Sequence, residues 1–271
     1  MNLLLCGDVV GRPGRDAVKA HLPQLRRDLA LDAAIVNAEN AAHGFGLTEK
    51  ICGELYDAGA DILTTGNHVW DQREIIPYIE RDGRVLRPAN FPPGTPGAGS
   101  YRHALPGGRS LLVVNLMGRL FMESLDDPFR VVEAILATQA IGRDRAIVVD
   151  FHAEATSEKT AFGHYCDGRV SAVIGTHTHI PTADAQILTG GTAYLSDTGM
   201  CGNYDSVIGM QKEPSIRRFV TRMPTGNKPQ VADGEGTLCG VFIVTDDATG
   251  LARRVEPVRL GGRLAPHVPL P

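Results

Sequence analysis

The chain has 271 residues, of which 43% are hydrophobic and 21% are charged, and its formal net charge is −4. These values suit a soluble globular protein of one α/β domain, here taken as 1–271, and the acidic balance excludes a surface that holds long nucleic acid by bulk electrostatics. No apolar stretch approaches the roughly 20 residues of a membrane span, and five scattered cysteines without a CxxC pair predict reduced thiols in a cytoplasmic protein.

Short apolar runs alternate with amphipathic segments along most of the chain. The predicted strands are 2–6, 33–37, 61–65, 110–116, 145–151 and 171–175, and the predicted helices lie within 16–29, 48–59, 71–83 and 127–140. This alternation is typical of βαβ units and a mostly parallel sheet. The Pro- and Gly-rich segment 88–108 is predicted to be an irregular loop or lid. From about residue 184 onward we predict strands joined by tight turns and no helix, including a strand in SIRRFVTRMP (215–224).

Polar side chains follow five of the predicted strands, where each strand ends. In chain order they are Asp8; Glu39 and Asn40; Asn67, His68 and Asp71; His152 and Glu154; and His177 and His179. Binding sites of α/β sheets form at the carboxyl ends of the strands, and two histidines two residues apart on a strand share a face. We therefore expect these side chains to converge on one rim.

The chemistry of this set indicates two metal ions rather than one. Three histidines, two acids and one or two amides exceed the ligand number of a single tetrahedral zinc. They suit a pair of divalent ions that share a bridging carboxylate, as in two-metal hydrolases. Oxygen and imidazole ligands without a thiolate favour Mn²⁺, Fe or Zn²⁺ over Ca²⁺.

Five motifs in order resemble the calcineurin-like metallophosphoesterases. The strings GDVVGRPGR, NAENAAHG, GNHVWD, DFHAEATSEK and GTHTHIPTAD look like the YmdB-like branch of bacterial phosphodiesterases within that superfamily. The resemblance runs from residue 7 to about 210. It implies an α/β fold with a central β-sandwich of mixed sheets flanked by helices, in four layers α/β/β/α. It also implies a cofactor of two divalent ions, Fe or Mn first and Zn as the alternative.

The resemblance also implies a role for each residue of the rim. Glu39 would bridge the two ions, and a hydroxide between the ions would attack phosphorus while His68 protonates the leaving oxygen as general acid. The remaining metal ligands divide into two groups: Asn67, His152 and His177 on one ion, and Asp8, Asn40 and His179 on the other.

Two departures from the superfamily pattern affect these roles. Val10 stands where the superfamily has a histidine ligand, which makes Asn40 the natural replacement. Ala42 stands where a second aspartate would orient His68, so His43 or Asp71 is expected to do so.

Other polar residues near the motifs are weaker candidates. Asn203 and Tyr204, in a loop with Asp205, are predicted substrate contacts. Arg12 and Arg15 could meet a phosphate or be merely exposed. Glu154, Ser157 and Lys159 could support His152 or touch substrate, and a solvated helix start explains them equally well.

The leading functional hypothesis is a phosphodiesterase that acts on small phosphodiesters, by resemblance 2′,3′-cyclic nucleotides. The alternatives are a phosphomonoesterase, a nuclease on short RNA, or a metal-containing regulatory scaffold protein. The expected partner is a small phosphodiester substrate, with no membrane and no long nucleic acid, and a homo-oligomer is left open.

Overall fold

The computed structural model describes residues 1–223 and 229–270. The helices are α1 (Gly11–Asp28), α2 (Glu49–Asp57), α3 (Ile75–Ile79), α4 (Pro128–Leu136), α5 (Thr156–Cys166) and α6 (Lys212–Thr221), with a 3₁₀ turn at Pro106–Gly108. The strands are β1 (Asn2–Cys6), β2 (Ala33–Asn37), β3 (Ile62–Thr64), β4 (Val85–Leu86), β5 (Ser100–Ala104), β6 (Ser110–Met117), β7 (Arg145–His152), β8 (Ala172–Thr176), β9 (Gln186–Ile187), β10 (Ala193–Leu195), β11 (Leu238–Thr245) and β12 (Ala252–Leu260).

The strands form two mixed sheets of six strands each. The first has the order β12-β11-β1-β2-β3-β4, and the second has the order β5-β6-β7-β8-β10-β9. Strands β1 to β4 run parallel, and β11 and β12 extend the first sheet in antiparallel pairing. In the second sheet β6, β7, β8 and β10 are parallel, with antiparallel edge strands β5 and β9.

The two sheets pack face to face, with helices on both outer faces. Along β1, Leu3 and Leu5 lie in the core between the sheets, whereas Leu4 and Cys6 face the core under α1 and α2. A third core joins the second sheet to α4 and α5. Strands buried on both faces read as continuous apolar runs, which is why these strands were predictable. The predicted four-layer α/β/β/α architecture is confirmed.

Two predictions of local structure are wrong. The stretch 215–221 belongs to helix α6 rather than to a strand, and none of the ten residues of α6 is buried. Its apolar residues Ile216, Phe219 and Val220 follow a helical spacing, but β-branched and aromatic types also favour strands. Pro224, at the end of the predicted strand, lies outside the described residues. The segment 88–108 is not irregular throughout, because it contains edge strand β5.

The sandwich brings the carboxyl ends of β1, β2 and β3 from the first sheet next to those of β7 and β8 from the second. Side-chain hydrogen bonds between the sheets join these ends: Asn37 at the end of β2 and Thr64 at the end of β3 both donate to Asp150 of β7. The predicted rim therefore lies where the two sheets meet.

Among the described residues, no helix has the length and hydropathy to span a bilayer.

Candidate metal centre

One group of predicted ligands closes around the imidazole of His152. Its Nε2 lies 3.1 Å from Oε1 of Glu39, 3.0 Å from Nδ1 of His177 and 3.2 Å from Oδ1 of Asn67. Potential ligand atoms of Glu39, His152 and His177 all lie within 4.8 Å of one another. Four potential metal-ligand atoms, each from the end of a different strand, thus lie close together, as the ligands of a single ion do.

A second group shares Glu39 with the first. Ligand atoms of Asp8, Glu39 and His179 also lie within 4.8 Å of one another. Glu39 therefore occupies the position that a bridging carboxylate requires. Asn40 belongs beside this group: its Nδ2 donates to the carbonyl of Gly44 at 3.0 Å, while its Oδ1 is buried without a hydrogen-bond partner.

The unpaired oxygens test whether this cluster fits metal ions. Oδ1 of Asp8 and Oδ1 of Asn40 are both buried and have no hydrogen-bond partner among the described residues. An uncompensated buried polar oxygen is costly, and a carboxylate costs more than an amide. A bound divalent cation would supply the partner that each of these oxygens lacks. The donor set of imidazoles, carboxylates and amides thus fits two divalent ions, although it does not select one metal.

The charges of the cluster favour a cation at its centre. Burial raises the pKa of Asp8 to about 6, against the opposing effect of His179 and His152. Glu39 is equally buried, but the surrounding imidazoles, His152 first, hold its pKa at about 2. Burial would lower the pKa of His152, yet Glu39 and Asp8 raise it to about 9. Burial and the charge of His152 lower the pKa of His177 to about 3. The carboxylates of Glu39 and Asp8 thus stabilise positive charge at this place, which a bound cation would supply.

The backbone around the cluster leaves no room for larger side chains. A Cβ on Gly66 would lie 2.3 Å from the ring of His152 and 2.4 Å from Oε2 of Glu39, so only glycine fits there. His177 and His179 follow the end of β8 and both have a positive φ, 97° and 68°. Their convergence therefore comes from a strained turn rather than from a shared strand face. Such strain persists only where the surroundings hold it in place.

A buried lysine and aspartate hold that turn. Lys159 is 2% exposed, and its Nζ donates to the carbonyl of Thr176 and to Oδ2 of Asp197, both at 2.8 Å. Oδ2 of Asp197 also accepts from the backbone N–H of Thr178 at 3.0 Å and from its hydroxyl at 2.7 Å. Lys159 is therefore neither a substrate contact nor part of a solvated helix start. Neither its partner Asp197 nor this role was predicted.

A second buried carboxylate fixes the tautomer of His152. The hydroxyl of Thr176 donates to Oδ1 of Asp150 at 2.7 Å, and its oxygen lies 2.9 Å from Nδ1 of His152. Because the hydroxyl proton is committed to Asp150, the oxygen must accept from Nδ1–H. Nε2 then keeps its lone pair for a metal, which is how outer partners orient ligating histidines. Asp150 lies inside an apolar strand, and sequence reasoning missed it.

His68 stands at the solvent side of the cluster. Its Nδ1 lies 3.0 Å from Oδ2 of Asp71, and its backbone N–H donates to Oε2 of Glu39 at 3.2 Å. Of the two expected orienting residues, Asp71 makes this contact, whereas His43 lines a neighbouring cavity. With Nδ1 held by a carboxylate, Nε2 is the nitrogen available for proton transfer to a substrate.

Glu154 contacts a different histidine from the one expected. Its Oε2 lies 3.1 Å from Nε2 of His177, so it orients His177 rather than supporting His152. The structure places Arg12 and Arg15 in the neighbouring cavity. There Arg12 pairs with Asp16 at 3.3 Å, and Arg15 donates to the backbone carbonyl of Ala41 at 2.5 Å.

The polar atoms of the two predicted substrate contacts, Asn203 and Tyr204, form hydrogen bonds within the protein. The hydroxyl of Tyr204 donates toward the carbonyls of His179 and Met200, both at 3.1 Å. Asn203 donates to the carbonyl of Asp233, and its Oδ1 accepts from the backbone N–H of Asp205 at 2.7 Å. Neither residue lines the cavity at the cluster. In this structure the polar atoms of both side chains are used in these internal hydrogen bonds, and substrate contact stays a prediction.

The cluster opens into a cavity of about 990 Å³. Six residues of the predicted rim line its inner side: Glu39, Asn40, His68, Glu154, His177 and His179. The opposite side is formed by residues 207–211 and by α6. No residue of 88–108 is among the described residues that line it, so that segment does not act as its lid in this conformation.

Comparisons with known proteins cover nearly the whole chain. The family of YmdB-like proteins matches residues 4–258. A 2′,3′-cyclic-nucleotide 2′-phosphodiesterase of Bacillus subtilis (strain 168) is 50% identical over 258 residues, which is 95% of this chain and 96% of the relative. The crystal structure of a hypothetical protein from Thermus thermophilus has a TM-score of 0.90 and 42% identity, covering 97% of this chain and all of that one. A crystal structure described as a novel phosphatase of Mycoplasma pneumoniae has a TM-score of 0.89 and 35% identity, covering 96% and 93%.

Proposed function

The chain belongs to the YmdB-like family, and on that premise we propose that it is a metal-dependent phosphodiesterase that hydrolyses small phosphodiesters, 2′,3′-cyclic nucleotides first among them. The observation that carries the proposal is the pair of ligand groups that share Glu39. Two ions bridged by one carboxylate are the arrangement that phosphoester hydrolysis uses.

Each residue of the cluster has a part in this proposal. Bound divalent ions would supply Lewis-acid stabilisation of the phosphoryl oxygens and a more acidic water. One ion would be held by Asn67, His152 and His177, the other by Asp8, Asn40 and His179, with Glu39 common to both. Fe or Mn is the proposed metal, with Zn as the alternative, because the donors are oxygen and imidazole without thiolate.

His68 is the proposed general acid. Opening a 2′,3′-cyclic phosphate at the 2′ position releases a ribose hydroxyl, a poor leaving group that needs a proton as the P–O bond breaks. The contact between Nδ1 of His68 and Oδ2 of Asp71 orients the ring, which leaves Nε2 as the nitrogen that can donate a proton to that oxygen. A scaffold protein has no use for such a donor beside its metals.

A phosphomonoesterase is the second candidate, since one structural relative is described as a phosphatase.

We further propose a cytoplasmic location, which the five free, buried cysteines support because unpaired thiols suit a reducing compartment.

The test compares 2′,3′-cyclic AMP with adenosine 3′-monophosphate as substrates. The protein is stripped with a chelator and then restored with Mn²⁺, Fe²⁺ or Zn²⁺ in separate reactions. We expect turnover of the cyclic diester only after restoration, with adenosine 3′-monophosphate accumulating as the product. Release of inorganic phosphate at a comparable rate would favour the monoesterase. Failure of all three metals with a folded protein would overturn both enzymatic proposals.

A further inference from the structure

The wall of the cavity opposite the metal centre is apolar and exposed. It consists of the loop residues Val207, Ile208 and Met210 together with Phe219 and Met223 at α6. Ile208 and Phe219 are exposed large hydrophobic residues, with 70% of Phe219 accessible. Apolar side chains in a concave site beside a few fixed polar groups are the usual composition of a ligand pocket.

Helix α6 turns one face towards this cavity. Within α6 the lining residues Pro214, Ser215, Arg218 and Phe219 recur at intervals of three and four, the spacing of one helical face. Arg222, directly after the helix, also lines the cavity. Ile216 is not among the lining residues and lies on another face of the helix. None of the residues of α6 is buried, so packing against a core does not explain why Phe219 occupies the cavity face.

The apolar surface begins at the proposed general acid. The ring of Phe45 meets the imidazole of His68 edge-on, with ring centroids 5.0 Å apart, and Phe45 lines the same cavity as Phe219. A substrate whose phosphate lies at the metal ligands and whose leaving oxygen lies at His68 would therefore meet these apolar side chains on its remaining sides, together with polar ones such as Gln211 and Arg218. The cavity of about 990 Å³ is far larger than a phosphodiester group needs.

We propose that this wall is a nucleobase subsite, in which the base of the substrate stacks on Phe219 and packs against Ile208 and Met210. The inference rests on the proposed function and adds the part of the substrate that is recognised away from phosphorus. A purine or pyrimidine presents a flat apolar face and a polar edge. Phe219 suits the face, and the guanidinium groups of Arg218 and Arg222 supply donors for the edge. Stacking tolerates any base, so the subsite selects nucleotides as a class.

The test separates recognition of the base from catalysis at phosphorus. Phe219→Ala is compared with the wild type on 2′,3′-cyclic AMP and on methyl β-ribofuranoside 2,3-cyclic phosphate, which keeps the cyclic diester but lacks a base. Loss of one stacking partner is expected to shrink the kcat/KM preference for the nucleotide about ten- to hundredfold. Calorimetric binding of adenosine 3′-monophosphate to the metal-loaded protein should weaken by a similar factor, and Phe219→Trp should restore it.

The control is Ile216→Ala, on the same helix but away from the cavity, which should keep the wild-type preference. Equal loss on both substrates with Phe219→Ala, or no change on either, would overturn the subsite and leave the phosphodiesterase intact. Metal-dependent turnover of neither substrate by the wild type would instead overturn the proposed function. The two failures are therefore distinguishable.

Discussion

The two walls of the cavity are built on opposite principles. The closed wall, formed by the ends of β1, β2, β3, β7 and β8, consists largely of buried polar side chains, and most of their atoms are paired apart from the oxygens left for metal. The open wall, formed by residues 207–211 and α6, consists largely of exposed side chains with few polar contacts. Metal ligands must be held within a fraction of an ångström, whereas a stacked ring tolerates displacement. Buried hydrogen bonds in this region thus lie mainly around the metal ligands, whose positions must be fixed most closely.

The closed wall also explains how unfavourable groups are kept in place. Asp150, Asp197 and Lys159 are all buried, which is expensive unless each is hydrogen-bonded. Each directs its hydrogen bonds to a segment that carries metal ligands. The open wall has no comparable network among the described residues, and substitutions there should affect substrates more than metals.

The largest effect is expected from Glu39→Gln in the closed wall. The isosteric amide removes the carboxylate that both ligand groups share, so both ions should be lost. Activity on 2′,3′-cyclic AMP should fall by about a thousandfold, since bound ions contribute several kcal/mol to transition-state stabilisation. Metal content is measured by mass spectrometry after dialysis. Glu158→Gln is the matched control, because Glu158 accepts a hydrogen bond from the backbone of Arg119 and is not in either ligand group. Retention of both ions in Glu39→Gln would contradict the bridging role of Glu39.

His68→Ala tests the residue that stands between the two walls. We expect kcat to fall by about 10²- to 10³-fold, the usual contribution of a general acid, while both ions remain bound. His164→Ala, which changes an exposed histidine of α5, should leave kcat unchanged. Metal loss in His68→Ala as severe as in Glu39→Gln would show that His68 is a ligand and not the acid.

Asp150→Asn should have a smaller effect that is specific to the closed wall. The amide can no longer accept the Thr176 hydroxyl with a full charge, so Nε2 of His152 is held less well in its ligating tautomer. Metal affinity should weaken about 10- to 100-fold, as for other outer partners of metal ligands. Competition with a fluorescent chelator measures the affinity, and ¹⁵N chemical shifts of His152 report its tautomer. Wild-type affinity together with an unchanged tautomer would remove Asp150 from this role.

The smallest effect is expected from Val220→Ser, in α6 but outside the cavity lining. Val220 is 77% exposed and is not among the residues that line the cavity. The free energy of unfolding should change by less than about 0.5 kcal/mol, and metal affinity should not change. Chemical denaturation and the same chelator competition measure both quantities. A loss as large as that of Asp150→Asn would mean that α6 belongs to the structural part of the site.

The sequence predicted the closed wall far better than the open one. Glu39 and His152 could be found because each follows an apolar run that marks a buried strand, and strand ends meet at one edge. The β-sandwich, in contrast, was predicted only from the family resemblance. A strand such as β1 is apolar on both faces, so its sequence pattern does not show which face packs against the second sheet and which against the helices.

What remained hidden depends on contacts between distant segments. Asp150 lies within an apolar run and gave no local signal, because its partners Asn37 and Thr64 belong to the other sheet. Helix α6 was mistaken for a strand because Ile216, Phe219 and Val220 have the helical spacing but are β-branched or aromatic types, which also favour strands. The surroundings of Asn203 were equally hidden, because nothing in its loop sequence shows that its side chain bonds to the carbonyl of Asp233 and the backbone of Asp205.

The contacts of Asp150 also constrain when the protein can acquire its metals. Its carboxylate is shared by a strand end of each half of the sandwich, and the ligands Glu39 and His152 likewise come from opposite halves. Neither half alone presents a complete coordination shell. Binding of the metals is therefore coupled to the docking of the two halves, so that each is expected to stabilise the other.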